Sequence, residues 1–342
     1  MTFDPAKSVY TPPDSVIVAK QQIDRIKKES FRRVDFPVEG IDQYCAPMLP
    51  GEMCMVIGQT SNGKSQFGHF WARKLAKQLD SDGRDEMIVH VSVEEAIETM
   101  TFYSLAAETE ERAGDLARGI VQDWDRLNEA IVRVGTIPIY RIGSSLARSE
   151  DYPNLTISNM IRAIDYIQDT WPGVRIAAMF FDYLQAFAID HENRGLNDRF
   201  NQRRHQITDD VNRLRQVSAK YGCPVIVMVQ AKQILNLQRP SCVPGIYDGQ
   251  ESSSIAQRAD RIIQLAMPKM HYALGQMINI SDSVSYVVRE NSIFIEVGKQ
   301  RGGMPSGAMF PCLIDFRTQE ITLQDRSTYQ QSGLPDNFRK GR

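Results

Sequence analysis

GQTSNGKS, running from Gly58 to Ser65, has the spacing G-x-x-x-x-G-K-[ST]. The apolar run Met53-Cys54-Met55-Val56-Ile57 leads into it and reads as a buried strand, and a helical pattern with Phe67, Phe70, Trp71, Leu75 and Leu79 on one face leads out of it. A strand, a glycine-bracketed loop and a helix make a phosphate cradle. Backbone N–H groups of the loop converge on the phosphates, the lysine reaches the β and γ phosphates, and the hydroxyl after it ligates Mg²⁺. The helix N-terminus adds partial positive charge at the same place. Gly58, Thr60, Ser61, Asn62, Gly63, Lys64, Ser65 and Gln66 are therefore the candidate nucleotide-binding residues.

Two further strands carry chemistry at their carboxyl ends, where an open α/β sheet binds its ligands. Met87 to Val93 ends in Glu94-Glu95. A carboxylate there can polarise a water for attack on the γ-phosphate, with Glu94 the candidate base and Glu95 the alternative. Ile176 to Phe181 ends in Asp182, the form in which a carboxylate holds Mg²⁺, so Ser65 and Asp182 are the candidate metal residues. Val225 to Val229 ends in Gln230, an amide placed either to sense a γ-phosphate or to close a turn.

Composition bounds the partners. The 342 residues are 42% apolar and 24% charged, with a net charge of -2. No global basic field points to nucleic acid, so any polyanion must be met by local Arg and Lys. Arg194, Arg199, Arg203 and Arg204 crowd one polar approach to a helix, either as a solvated face or as a phosphate-contacting loop. Cys45, Cys54, Cys223, Cys242 and Cys312 have no metal-ligand spacing and read as free core thiols of a reducing compartment. No run approaches the ~20 apolar residues of a membrane span, and a soluble cytoplasmic protein is expected.

The chain divides into a tail over 1–13, a helix and linker over 14–50, a core over 51–323 and a polar tail over 324–342. Asp14 is the expected N-cap of the first helix, whose stripe of Val16, Ala19, Ile23 and Ile26 is narrow and suits a partner surface. Pro37, Gly40, Pro47 and Pro50 mark 31–50 as a linker, and 268–291 reads as an irregular excursion between strands.

Taken in order, PGEMCMVIGQTSNGKS, HVSVEE, GDLARGIVQDWDRL, MFFDYLQAF, YGCPVIVMVQ, QESSSIAQRADRIIQL and VGKQRGG resemble the C-terminal ATPase domain of the DnaB family of replicative DNA helicases. The resemblance runs from about Asp14 to Leu323 and implies an α/β, RecA-like P-loop ATPase with a mostly parallel sheet and an N-terminal docking helix. It implies ATP and Mg²⁺ as ligands, Glu94 as the base, Gln230 as the γ-phosphate sensor, and Lys299 and Arg301 as the pair that reaches a neighbouring subunit's nucleotide. A finger supplied in trans makes sense only in an oligomer, and the family's form is a hexameric ring.

The same resemblance implies single-stranded DNA in the ring's centre, held by loops at 190–204 and 248–255, with 5′ to 3′ travel. Arg194, Arg199, Arg203, Arg204, Gln250, Glu251 and Ser253 are the residues so placed. Gln250 and Ser253 stand where the family commonly has Arg and Gly, a loss of one cation and one glycine from the DNA loop. A helical collar domain is not seen ahead of the first helix, so a primase or loader contact by that route is not expected. A compact form of this kind suits a phage, plasmid or other mobile element. An ATPase without unwinding activity, acting as a loader or as a regulatory or defence component, is the alternative, with a RecA-like recombinase behind it.

Overall fold

A computed structural model of the chain describes residues 11–28, 33–146, 155–187, 199–232, 242–249, 254–281, 284–301 and 307–325. Six strands run parallel in the order β3 (Ile139–Ile142), β2 (Glu86–Ser92), β4 (Arg175–Asp182), β5 (Val225–Gln230), β1 (Met53–Gly58) and β6 (Arg261–Ala266). Three antiparallel strands extend the sheet beyond β6: β9 (Ser292–Gln300), β10 (Met309–Asp315) and β11 (Glu320–Leu323). The segment read as an irregular excursion folds instead as a hairpin of β7 (Met277–Ser281) and β8 (Val284–Val287). Tyr286 and Ile278 pack it against Phe294 and Ala266.

The central strands read as unbroken apolar runs because both faces of the sheet are covered. Along β1, Cys54 and Val56 face one core while Met53, Met55 and Ile57 face the other. The first core is closed by α2 (Lys64–Ser81) through Phe67, Phe70, Trp71, Leu75 and Leu79. The second is closed by α6 (Ile157–Thr170), through Met160 and Ile164, and by α7 (Arg199–Tyr221), through Ile207, Val211 and Leu214. A satellite cluster joins α3 (Ile97–Thr109), α4 (Ala113–Leu116) and α5 (Trp124–Thr136) around Leu105, Ala106, Leu127 and Ala130. A short helix, α8 (Ser254–Arg258), precedes β6.

Two local expectations change. The stretch 34–48, marked as linker by its Pro and Gly, buries Val34, Phe36, Val38, Ile41, Cys45 and Met48 in the first core. Val34, Phe36 and Val38 alternate and Ile41, Cys45 and Met48 fall at helical spacing, but each run holds only three apolar residues and Pro37, Gly40 and Pro47 interrupt them, so periodicity alone does not reveal the packing. The other change is in α1 (Pro12–Lys28), a unit described by itself. Thr11, not Asp14, caps it: the Thr11 N–H donates to Asp14 Oδ2 (3.2 Å) while the Asp14 N–H donates to Thr11 Oγ1 (3.4 Å). That is a capping box with proline at the first helical position, where no N–H is needed. Thr156 caps α6, accepting from the Asn159 N–H at 3.1 Å.

Candidate nucleotide site

Strand register assembles the site. Gly58 lies opposite Gln230 on β5, and Ser92 lies opposite Asp182 on β4, so the carboxyl ends of four neighbouring strands finish together. The P-loop turns out of β1 and into α2 through Gly63, whose φ of 81° is open to glycine at no steric cost. Asn62 is buried and braces the loop: its Oδ1 accepts from the Met267 N–H at 2.7 Å and its Nδ2 donates to Thr60 O at 3.0 Å.

Lys64 Nζ donates to Gln59 O and to Gln230 Oε1, both at 2.9 Å. Gln230 also donates through Nε2 to Thr60 Oγ1 at 2.9 Å, so one amide touches both the P-loop lysine and the P-loop threonine. Gln185, three residues past Asp182, grips the backbone of Gln230: its Oε1 accepts from Gln230 N at 3.0 Å and its Nε2 donates to Gln230 O at 3.2 Å. Sequence reading marks the DYLQ run but gives Gln185 no task. Only the pairing of β4 beside β5 brings the two glutamines together.

Burial lowers Lys64 to about 8 against the opposing charges of Asp182 and Glu94. Burial raises Asp182 to about 7, with the Ser65 hydroxyl pulling it down and the Glu95 carboxylate pushing it up. Asp182 is 2% exposed, yet among the described residues no hydrogen bond of ordinary geometry reaches either carboxylate oxygen, the pull of Ser65 notwithstanding. A buried acid with two orphaned oxygens beside a serine hydroxyl fits a divalent cation, which would satisfy both.

Glu94 and Glu95 separate in the structure. Glu94 is exposed at the apex of the turn after β2, while Glu95 is half-buried against α2 and pushed up to about 7 by burial. His69 Nε2 and Glu95 Oε2 lie 2.7 Å apart in a hydrogen bond that no sequence motif signals.

The expected site residues do not all converge. Gln66 points away, donating through Nε2 to Gln319 Oε1 at 2.9 Å in the β10–β11 turn. Lys299 and Arg301 lie at the other end of the sheet. Lys299 Nζ donates to the last carbonyls around α8, Ala256 O at 2.6 Å and Ala259 O at 2.7 Å. Arg301 Nη1 donates to Asp260 Oδ1 at 3.1 Å. Arg199, Arg203 and Arg204 occupy the first turns of α7, with their side chains outside the described residues. Arg194, Gln250, Glu251 and Ser253 lie outside the described residues altogether.

The family model of the DnaB-like helicase C-terminal domain matches residues 34–311. The chain belongs to this family. Among solved structures the DnaB-type fold recurs in the ATPase domain of G40P, with a TM-score of 0.62 and 18% identity over 81% of this chain and 86% of that one. A DnaB-like replicative helicase, described with its interactions with primase, superposes with a TM-score of 0.65 and 17% identity over 85% of this chain. The chain spans 63% of that helicase. A KaiC-like protein, PH0186 from Pyrococcus horikoshii OT3, matches over 86% of this chain and 99% of its own, with a TM-score of 0.53 and 15% identity. No curated protein matches in sequence. These likenesses establish the RecA-like fold of the DnaB-like domain, a mostly parallel sheet flanked by helices. No helix among the described residues is long and apolar enough to cross a membrane.

Proposed function

We propose that the chain is an ATP-driven single-stranded DNA translocase of the DnaB type, acting as a ring oligomer whose ATP sites lie between subunits. The observation that carries this reading is the distance between its two halves of an ATP site. Arg301 N–H donates to Asp260 O, and Asp260 exchanges hydrogen bonds with Met53 at the start of β1, whereas the P-loop begins at Gly58 at its end. The length of β1 puts about 17 Å between them, too far for an arginine side chain to cross. A finger at Arg301 therefore serves a neighbour's nucleotide, and a closed ring supplies every site with one.

Within such a site, P-loop N–H groups and Lys64 bind and neutralise the β and γ phosphates. Ser65 and Asp182 would hold Mg²⁺, which when bound spreads phosphate charge. Glu94 orients the attacking water and takes its proton on a carboxylate oxygen. Gln230, bonded to both Lys64 and Thr60, is placed to report loss of the γ-phosphate to β5. Arg301 and Lys299 of the adjacent subunit stabilise the charge that develops on the transferring group. Phosphates of the DNA strand are gripped by the segments 190–204 and 248–255 without base readout.

The test is steady-state ATP turnover with and without a single-stranded oligonucleotide at fixed low salt, because phosphate contacts are salt-sensitive. Strong stimulation supports the reading, as does recovery of activity when inactive Lys64→Ala and Arg301→Ala chains are mixed, since only a trans site lets them complement. Turnover that ignores DNA overturns translocation. It favours an ATPase without unwinding activity that answers to a protein partner, the reading to which Gln250 and Ser253 incline.

A further inference from the structure

The turn 92–97, which presents Glu94, is pinned on most sides. The Val93 N–H donates to Asp182 O at 2.9 Å, the Glu95 N–H to Ser92 Oγ at 2.9 Å, and the Ile97 N–H to Ser144 O at 2.8 Å. Gly143 lies so close that a Cβ there would stand 2.9 Å from Ser92 O. These pins come from β4, from the turn itself and from the segment after β3. The side chain of α2 that bonds the turn, among the described residues, is His69 through Glu95.

His69 is built into its place. Its ring stacks on Tyr103 of α3 with centroids 4.7 Å apart and an interplanar angle of 24°, and it meets His90 of β2 at 4.7 Å. It is 7% exposed, and burial holds it neutral, with its pKa lowered to about 3. The charged and titratable groups around the pair are Arg141 from β3, Arg73 on α2, Asp182 from β4, His90, Tyr103 and Glu94. His69 follows Ser65 by one helical turn, so the two share a face of α2, and any shift of the first turn of the helix is carried to His69. A ring that contacts β2 and α3 and is bonded to Glu95 thus ties this face of α2 to the residue directly after Glu94.

We propose that His69 is a positioning residue that, through Glu95, sets the carboxylate of Glu94 in register with the P-loop. The inference rests on Glu94 being the base, as proposed above. It does not depend on DNA, and its test uses the basal ATPase rate of the full chain. Turnover that ignores DNA would therefore sink translocation while leaving this comparison readable.

The test compares His69→Leu with His69→Gln, whose amide can still bond Glu95, each alone and on a Glu94→Gln background. Expected is a kcat about 10- to 100-fold lower in His69→Leu, the cost of a base held off its productive position, with the ATP KM and the affinity for a fluorescent ADP within about twofold of the parent. His69→Gln recovers most of the rate. On the Glu94→Gln background His69→Leu costs nothing further, because the group it positions is gone. A wild-type kcat in His69→Leu overturns the proposal, as does an equal loss on both backgrounds or a parallel loss of ADP affinity, which would mark His69 as packing for the P-loop. Should His69→Leu not fold, His69→Leu/Glu95→Met replaces the pair by apolar side chains, and the same kcat loss against unchanged ADP affinity is required of it.

Discussion

Arg301 and Asp260 form an ion pair within one chain, Nη1 to Oδ1 3.1 Å, at the end of the sheet remote from the P-loop. Asp260 is 10% exposed and Arg301 52% exposed, so the two partners carry unequal weight. Asp260 also accepts the Met53 N–H through Oδ2 and meets Arg215 Nη2 at 3.4 Å, holding together the start of β1, α7 and the turn before β6.

The inequality predicts a split between stability and activity. Arg301→Ala removes a screened surface pair and costs less than about 1 kcal/mol of stability, yet lowers turnover on the order of 10³-fold if the finger acts in trans. Asp260→Ala leaves Met53 N–H and two arginines short of an acceptor and costs about 2–4 kcal/mol. Denaturant unfolding and ATP turnover of the two variants check both halves. A large stability loss in Arg301→Ala would assign the arginine a structural role.

Gln230 spans Lys64 and Thr60, and Gln185 holds its backbone. Gln230→Ala is expected to lower kcat by at least about tenfold while ATP affinity changes less than about threefold, because the amide contributes mainly once the γ-phosphate changes. Gln185→Ala acts in the same direction and also costs about 1–3 kcal/mol, since it leaves the backbone N–H of Gln230 unpaired. Pre-steady-state phosphate release separates these effects from changes in binding.

Two kinds of buried group give the stability opposite slopes with pH. Burial raises Glu95 to about 7, so the folded state holds its proton more tightly than the unfolded chain does. That contribution is present below the ordinary carboxylate value of 4.5 and is lost as pH rises through 7. His69, lowered to about 3, behaves in the other sense: its contribution is present above 6.5 and is lost as pH falls. Between about 4.5 and 6.5 these two contributions oppose each other and nearly cancel. Glu95→Gln removes the first slope, raising stability at pH 8 by up to about 3 kcal/mol and leaving a steady loss toward acid. Urea midpoints from pH 4.5 to 8 measure it, and identical pH profiles for parent and variant would refute the assignment.

Gly143→Ala places a methyl 2.9 Å from Ser92 O and 3.3 Å from Ile97 Cδ1, in the wall of the turn that carries Glu94. The backbone oxygen cannot yield cheaply, so a loss of about 1–3 kcal/mol is expected, together with a fall in kcat that exceeds any change in ATP affinity. Gly114→Ala, where a methyl meets open space in α4, is the control and should leave kcat unchanged with no loss of stability.

Much of the machinery is local and was legible in the chain. A P-loop needs fixed residues at fixed spacing after a strand, and GQTSNGKS after MCMVI provides both. Asp182 and Gln230 could be placed because each ends an apolar run, and strands buried on both faces write such runs plainly. Sequence could not reveal that residues 34–48 pack in the core, because their apolar runs are short and broken by Pro37, Gly40 and Pro47. Nor could it show why Glu94 and Glu95 differ: adjacent residues differ here in what covers them, and the cover comes from α2, 26 positions away.

Sequence by itself determined the strands that end at the site, the phosphate loop and which side chains close those strands, because those follow from periodicity and from neighbours in the chain. Tertiary structure alone decided the strand order that sets Asp182 beside Ser92 and Gln230 beside Gly58. It also decided the burial that couples His69 to Glu95 and the antiparallel return of β9 that leaves Arg301 at the far end of β1. Each of these depends on pairing between segments far apart in the chain, which is fixed by mutual burial of whole sheet faces and leaves no mark on the spacing within either segment.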